Sequence, residues 1–151
     1  MSSTVQIRPI VPADAPAIAR LMQGLGFDHS AAEIGRRLAM APDRASDPAL
    51  VAEAEGRAAG LIALHIAPML FYPKPIARIT TLVVDVATRR HGIGRALVEA
   101  TVALAEEAGC DTLELTTALH REEAQAFYRA LGFDCTSFRM ALRLQGITAA
   151  R

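Results

Sequence analysis

The hydrophobic and polar positions of the chain follow two different periods. Strands are predicted where every second residue is apolar, and helices where apolar residues recur three or four positions apart. Val5–Ile10 shows the first period, whereas Ile18, Leu21 and Leu25 show the second. The same test predicts further strands at Leu50–Glu55, Ala59–Ile66, Arg78–Val86, Asp111–Thr117 and Cys135–Leu144, and further helices over residues 30–38, 93–108 and 122–131.

Cap and turn residues mark the ends of these elements. Asp14 stands at the N-cap of the first helix, and Ser30 with Glu33 forms a capping box before the second. A turn at Gly56-Arg57 predicts a hairpin. The order β-α-α-β-β-β-α-β-α-β then predicts a mixed α/β fold in which helices cover one sheet. The step from the strand that ends at Val86 to the next strand is expected to be a right-handed parallel crossover.

Length and composition narrow the class of protein. The chain has 151 residues, of which 52% are hydrophobic, and 16 basic residues balance 16 acidic ones. This size predicts one domain over residues 1–151, with a core from about 5 to 144 and a tail over 145–151. The high apolar fraction disfavours disorder, and the absence of a basic excess disfavours a general nucleic-acid binder.

Membrane, secretion and metal signals are also missing from the sequence. The longest apolar stretch falls short of the ~20 residues that a spanning helix needs, and the first residues lack a secretory pattern. Cys110 and Cys135 are too few for a disulfide framework and are not spaced as a metal site. We therefore expect a cytoplasmic protein that binds no metal, no membrane and no nucleic acid.

The segment after the predicted strand Arg78–Val86 has the layout of an anion site. Two glycines, Gly92 and Gly94, stand at the start of a helix, whose free N–H groups attract negative charge. Arg89, Arg90 and Arg95 flank them, and guanidinium groups match phosphate oxygens. Over residues 85–95, three arginines stand against one aspartate, a local balance of plus two. A small phosphorylated ligand fits this pattern better than a long polyanion.

Two common nucleotide-binding motifs do not fit this segment. A dinucleotide-binding turn would have a third small residue where Leu97 stands, and the chain has no G-x-x-x-x-G-K-[ST] motif. Glu114 has the right separation for a ribose acid, but it stands in the middle of a predicted strand. A nucleotide-dependent oxidoreductase is therefore disfavoured.

Two motifs give the chain a resemblance to a known family. Arg89-Arg90-His91-Gly92-Ile93-Gly94 resembles the R/Q-x-x-G-x-G/A signature of the Gcn5-related N-acetyltransferases (GNAT). Ala124-Gln125-Ala126-Phe127-Tyr128-Arg129-Ala130-Leu131-Gly132-Phe133 is similar to the A-x-x-F-Y-x-x-x-G-F element of that family. With the matching element order, the resemblance extends from about Gln6 to Leu144. It implies a mostly antiparallel mixed sheet of six to seven strands with about four helices.

The resemblance also implies a reaction and a set of site residues. An acetyl group would pass from acetyl-CoA directly to a primary amine of a small molecule or protein, and a homodimer is expected. Tyr128 would be the general acid that protonates the leaving thiolate. A backbone N–H near Val83 or Val84 would stabilise the oxyanion. The residues implied to bind acetyl-CoA are Leu82, Val83, Val84, Arg89, Arg90, His91, Gly92, Ile93, Gly94 and Arg95. A non-catalytic acyl-CoA sensor on the same fold is the alternative.

The sequence departs from the family pattern at several positions. Arg121 stands where many members have asparagine, Gln125 where histidine is frequent, and Thr80-Thr81 where many have a glutamate. The general base therefore stays open, with His65, Asp85, Glu114, His120 and a water chain as candidates. The acceptor is expected to meet the segments 24–30 and 68–75, where Phe27, Phe71 and Tyr72 suggest an apolar or aromatic rim.

Overall fold

A computed structural model of the chain describes residues 4–40 and 45–144. The chain divides into two compact units, Met1–Leu115 and Thr116–Arg151. The first unit contains β1 (Gln6–Pro9), α1 (Ala15–Gln23), α2 (Ala31–Met40), β2 (Ala49–Ala54), β3 (Arg57–Ala67), β4 (Ile76–Val84), α3 (Ile93–Glu107) and β5 (Leu113–Leu115). The second unit contains α4 (Glu122–Ala130).

The strands form one mixed sheet in the order β1-β2-β3-β4-β5. The first three pairings are antiparallel, and β4 pairs with β5 in parallel. This confirms the mixed α/β class, the hairpin between β2 and β3, and the parallel step through α3. Within residues 4–40 and 45–144, the sheet has five strands rather than the expected six to seven.

The predicted strand Cys135–Leu144 is wrong, because the structure assigns no strand to these residues. Their alternation shows which side chains share a face of an extended segment. A strand also needs a neighbouring strand that accepts and donates its backbone hydrogen bonds, and periodicity contains no information about that neighbour. The expected tail, residues 145–151, lies outside the described residues.

Apolar side chains cover the two faces of the sheet separately. On one face, Ile18 and Leu21 of α1 belong to a buried cluster with Leu61 of β3 and Val83 of β4. On the other face, Ala105 of α3 belongs to a cluster with residues of β3, β4 and β5. We call these the α1/α2 face and the α3 face. Their separation follows from strand geometry, since neighbouring residues in a strand point to opposite sides.

Of the two predicted helix caps, one forms its side-chain hydrogen bonds and the other does not. The capping box is confirmed: Ser30 N–H donates to Glu33 Oε2 at 2.9 Å, and Glu33 N–H donates to Ser30 Oγ at 3.2 Å. Asp14 precedes α1, but its side chain makes no hydrogen bond to the first turn of that helix. Its carboxylate instead accepts the Val11 N–H and two hydrogen bonds from Arg8. Arg8 thereby holds the pKa of Asp14 below its ordinary value.

In the part of the chain that the structure describes, no helix is long and apolar enough to cross a membrane. No group of three or more potential metal ligands occurs in the same ranges, 4–40 and 45–144.

Candidate acyl-donor site

The end of β4 has one edge that pairs with a strand and one that does not. On the β3 side, pairing continues through Val84, which lies opposite Gly60. On the other side, within residues 4–40 and 45–144, β5 pairs only with Ala77–Ile79. Thr80 lies where β4 separates from β5. Thr81 pairs with Ala63 and Ile79 pairs with Leu64, so Thr80 is an extra residue of β4 opposite β3. This is a β-bulge, which bends a strand and interrupts its ladder.

The unpaired edge presents backbone donors. Asp85 N–H donates to Ala59 O of β3 at 2.8 Å, so that amide points toward β3. Amide directions alternate along an extended strand, and the N–H groups of Val84 and Leu82 therefore point toward the open edge. The Val83 side chain is 4% exposed and anchors this stretch in the core. An extended ligand could pair with the open edge as an additional strand would.

Asp85 organises the turn that follows β4. One oxygen of its carboxylate accepts Ala87 N–H at 3.1 Å, and its carbonyl accepts Thr88 N–H at 2.9 Å. These contacts close a short 3-10 turn over Val86–Thr88. His91 then donates from Nδ1 to the Thr88 carbonyl at 3.0 Å. The turn is therefore held by its own side chains before the helix begins.

The first turn of α3 exposes free backbone N–H groups. Gly92 precedes the helix with φ 78°, a left-handed conformation that favours glycine. Ala96 N–H donates to Gly92 O at 3.0 Å, so the first intrahelical bond comes from Ala96. The N–H groups of Ile93, Gly94 and Arg95 precede it and have no helical acceptor. This is the physical requirement for binding an anion at a helix N-terminus.

Three arginines surround these N–H groups in the sequence. Arg89 and Arg90 are exposed and make no ion pair with any residue of the described ranges. Arg95 lies 3.7 Å from Glu99 across one helical turn, and both side chains are more than half exposed. Exposed pairs of this kind contribute little, so their charge remains available to a ligand. The predicted residues 82–84 and 89–95 thus lie in one continuous stretch of the first unit.

One residue that positions this stretch was missed in the sequence. Arg20 of α1 donates to Asp85 Oδ2 at 2.5 Å and to the Ala58 carbonyl at 2.9 Å. It ties α1 to the end of β4 and lowers the pKa of Asp85. No local pattern indicates this, because the two residues are 65 positions apart. Only the packing of α1 on the sheet brings them together.

In the second unit, α4 holds the predicted acid. The Tyr128 ring contacts Phe127 and Phe133 edge-on, with centroid distances of 5.2 and 5.6 Å. Burial raises the pKa of Tyr128, and the charge of Arg121 partly opposes this. The phenol therefore stays protonated at neutral pH and is able to donate. Gln125 donates from Nε2 to two carbonyls, of residues 118 and 119, which fixes the chain entering the helix.

The four side chains considered as a general base have different surroundings. The carboxylate of Asp85 already accepts hydrogen bonds from Arg20 and from the Ala87 N–H. Glu114 accepts two hydrogen bonds from Arg78, at 2.9 and 2.6 Å. His65 lies 2.7 Å from Asp47 through Nδ1. His120 is exposed in the turn before α4. Asp85 is thus better suited to hold the turn than to remove a proton.

The aromatic residues expected at the acceptor rim are accessible. Phe27 is 51% exposed and Phe71 is 95% exposed. The Phe27 ring stacks on the His29 ring, with 6.0 Å between the ring centroids. Tyr72 is 42% exposed, and its hydroxyl donates to Asp111 at 3.3 Å. An apolar acceptor would find uncovered aromatic surface here.

Comparison with known proteins gives consistent matches. The sequence profile of the Acetyltransferase (GNAT) family matches residues 18–133. N-acetyltransferase family 8 member 3 of Rattus norvegicus is 36% identical over 87 residues, 57% of this chain and 38% of that protein. The chain thus aligns with well under half of that relative's length.

Solved structures match over nearly the whole chain. A Trypanosoma brucei acetyltransferase has 25% identity and a TM-score of 0.79, covering 93% of this chain and 100% of that one. An aminoglycoside N-acetyltransferase solved in complex with CoA has 20% identity and a TM-score of 0.80, covering 95% and 96%. Because the aminoglycoside N-acetyltransferase is 20% identical to this chain, its similarity supports the fold alone.

Proposed function

The chain belongs to the GNAT acetyltransferase family, and from that premise we propose that it transfers an acetyl group from acetyl-CoA to a primary amine. The observation that supports this most directly is the open edge of β4 leading into the turn and the N-terminus of α3. An extended chain with a pyrophosphate at one end has the shape and charge that this stretch requires. Acetyl-CoA is such a molecule, with its pantetheine arm and its phosphates.

The residues present fit this donor. The N–H groups of Ile93, Gly94 and Arg95 would bind the pyrophosphate oxygens, with the guanidinium groups of Arg89 and Arg90 beside them. His91 and Gly92 shape the turn. Leu82, Val83 and Val84 would pair with the arm. The thioester lies at the end of the arm away from the phosphates, so the Leu82 N–H, which points toward the open edge like that of Val84, would donate to the thioester oxygen.

Bound acetyl-CoA supplies a thioester whose carbonyl carbon accepts the amine nitrogen while the thiolate leaves. Tyr128 would give the thiolate its proton, as the family resemblance implies, and the raised pKa keeps that proton in place at neutral pH. Neither Cys110, which is buried, nor Cys135 is needed as a nucleophile.

The proposal extends to three further properties. The acceptor is an amine of a small molecule or protein that contacts the exposed aromatic residues of segments 24–30 and 68–75. A cytoplasmic location agrees with the two free thiols. A homodimer would cover the apolar side chains of residues 138–144, and sedimentation at several protein concentrations would test it.

An acyl-CoA sensor is the second candidate, since the same stretch would hold the ligand without chemistry. Two measurements separate the candidates: the melting temperature with acetyl-CoA, and thiol release from acetyl-CoA across a panel of primary amines. A rise in melting temperature together with amine-dependent thiol release supports the transferase. A rise without release on any amine supports the sensor, and the absence of a rise contradicts both.

A further inference from the structure

Four polar side chains form a row across the sheet, one from each of four neighbouring segments. We call it the polar row: Asp47, His65, Arg78 and Glu114. Asp47 lies beside β3, His65 in β3, Arg78 opposite it in β4, and Glu114 opposite Arg78 in β5. Residues directly opposite each other in paired strands point to the same face. Ile66 and Ala77, their neighbours, pack on the α3 face, so the row lies on the α1/α2 face.

Backbone hydrogen bonds fix Asp47 next to His65. Leu64 N–H donates to Pro48 O at 2.9 Å, and Ile66 N–H donates to Ser46 O at 2.7 Å. Residues 46–48 therefore continue the pairing of β2 with β3, and Asp47 falls opposite His65. The resulting distance from His65 Nδ1 to Asp47 Oδ1 is 2.7 Å. The strand register therefore fixes the contact between His65 and Asp47.

The row is open to solvent where α1 and α2 do not cover the sheet. The side chains of His65 and Asp47 are 51% and 47% exposed. Those of Arg78 and Glu114 are 53% and 40% exposed. A molecule in solution can therefore reach all four side chains.

The hydrogen bonds leave one basic atom in the row unoccupied. Glu114 and Arg78 satisfy each other, and Asp47 accepts from His65 Nδ1. Within the described ranges, His65 Nε2 makes no hydrogen bond. A carboxylate on Nδ1 fixes the tautomer with a lone pair on Nε2, and this is how a histidine is prepared to accept a proton.

We propose that His65, oriented by Asp47, is the general base that removes a proton from the acceptor's ammonium group. This inference rests on the proposed function. In the step, the N–H bond of the ammonium breaks and His65 Nε2 takes the proton, leaving imidazolium and a neutral amine. The amine lone pair then forms the C–N bond as the C–S bond breaks. The new amide nitrogen loses its second proton to water, the departing thiolate takes one proton to become the thiol, and the imidazolium releases its proton to water.

The position of the row suits this role. Leu82, the first residue of the proposed donor edge, lies opposite Ile62, three residues before His65 in β3. At about 3.3 Å per residue, this is roughly 10 Å along the strand. The proton would cross that distance through a short chain of water molecules between the acceptor nitrogen and His65 Nε2. The charged groups that face His65 are Asp47 on one side and Arg78, itself neutralised by Glu114, on the other.

The test compares His65→Ala, Asp47→Asn and a control carboxylate-to-amide change, Glu107→Gln, in the exposed last turn of α3. Thiol release from acetyl-CoA is measured against pH with 2-phenylethylamine and the other primary amines of the panel, with and without added imidazole. Acetyl-CoA affinity is measured separately by calorimetry. We expect His65→Ala to lower kcat/KM about 100-fold and Asp47→Asn about tenfold, with unchanged acetyl-CoA affinity.

Two further readouts separate a base from a residue that only binds the acceptor. If His65 is the base, the fall in kcat/KM at acidic pH disappears in His65→Ala, and imidazole restores part of the activity. An unchanged pH profile or no restoration by imidazole overturns the inference while leaving the transferase intact. Absence of amine-dependent turnover in the unmodified protein overturns the proposed function itself.

Discussion

Gly60 of β3 links the packing of the core to the proposed donor site, because side chains from the start of α3 pack directly against it. A Cβ added there would lie 3.0 Å from Ile93 Cγ2, 3.0 Å from Leu97 Cδ1 and 3.3 Å from the Val83 carbonyl. Ile93 and Leu97 are 2% and 0% exposed, so neither side chain has free space to move into. Gly60→Ala therefore overfills the interface and shifts the first turn of α3.

The size of the effect follows from two opposing contributions. Overpacking of this kind costs about 1–3 kcal/mol, and replacing glycine by alanine returns about 0.4–1 kcal/mol by restricting the unfolded chain. We expect a net loss of about 1–2 kcal/mol in the free energy of unfolding. For a domain of this size, that lowers the melting midpoint by about 3–6 °C. Acetyl-CoA affinity should fall as well, since Ile93 begins the helix that would bind its phosphates.

A matched control is available in α2. A Cβ at Gly35 would meet only Ala15 Cβ at 3.9 Å, an ordinary contact. Gly35→Ala in a helix interior should therefore stabilise the protein by about 0.5–1 kcal/mol. Urea unfolding of both variants, with calorimetry for acetyl-CoA, measures the two signs directly. A Gly60→Ala protein as stable as the unmodified chain would refute the close-packing argument.

The remaining predictions concern the donor site and the response to acid. Gly94→Asp should abolish acetyl-CoA binding in calorimetry, because it puts a carboxylate among the N–H groups of the first turn of α3. The control Ala103→Asp adds the same charge farther along α3 and should retain binding. Tyr128→Phe should lower turnover about 100-fold without changing acetyl-CoA affinity, and normal turnover would reduce Tyr128 to a packing role. Arg20→Gln and Asp85→Asn should each weaken acetyl-CoA binding about tenfold. The double variant should bind no worse than either single variant, since both changes remove the same contact. Exposed Arg36→Gln is the control, and additive losses in the double variant would argue against a shared contact. Arg8 holds the pKa of Asp14 below its ordinary value of 3.8, so the stabilisation is complete above that pH and is lost as the pH falls through the folded-state pKa. Urea unfolding from pH 6 to 2 should therefore show a shallower decline for Asp14→Asn, and an identical slope would count against the Arg8 contact.

Periodicity was a sufficient guide where an element's own side chains determine its structure. The amphipathic spacing of α1, α2, α3 and α4 and the alternation in β3 and β4 predicted these elements, because a buried face requires that pattern in any compact fold. The capping box at Ser30 and Glu33 was predictable for the same reason, since its two hydrogen bonds span three residues. The 85–95 turn was also visible, because glycines, arginines and a helix start are consecutive in the chain.

Contacts between distant segments were not predictable in this way. The alternation of residues 135–144 resembles that of a strand, but no strand forms without a pairing neighbour. Asp14 was expected to cap α1, yet Arg8 offers it two charged hydrogen bonds that are worth more than one to a backbone amide. The candidates for the general base could not be ranked, because their partners, Asp47, Arg20 and Arg78, are remote in sequence.

The sequence by itself determined the class of fold, the family and the stretch that would bind the donor, since each depends on residues close together along the chain. The tertiary structure decided which edge of β4 is open, that Arg20 holds Asp85, and that Asp47 orients His65. These depend on strand register and helix packing, which fix distances between residues that the chain separates by as many as 65 positions. A side chain's chemistry follows from its type, but its role follows from the neighbours that the fold places beside it.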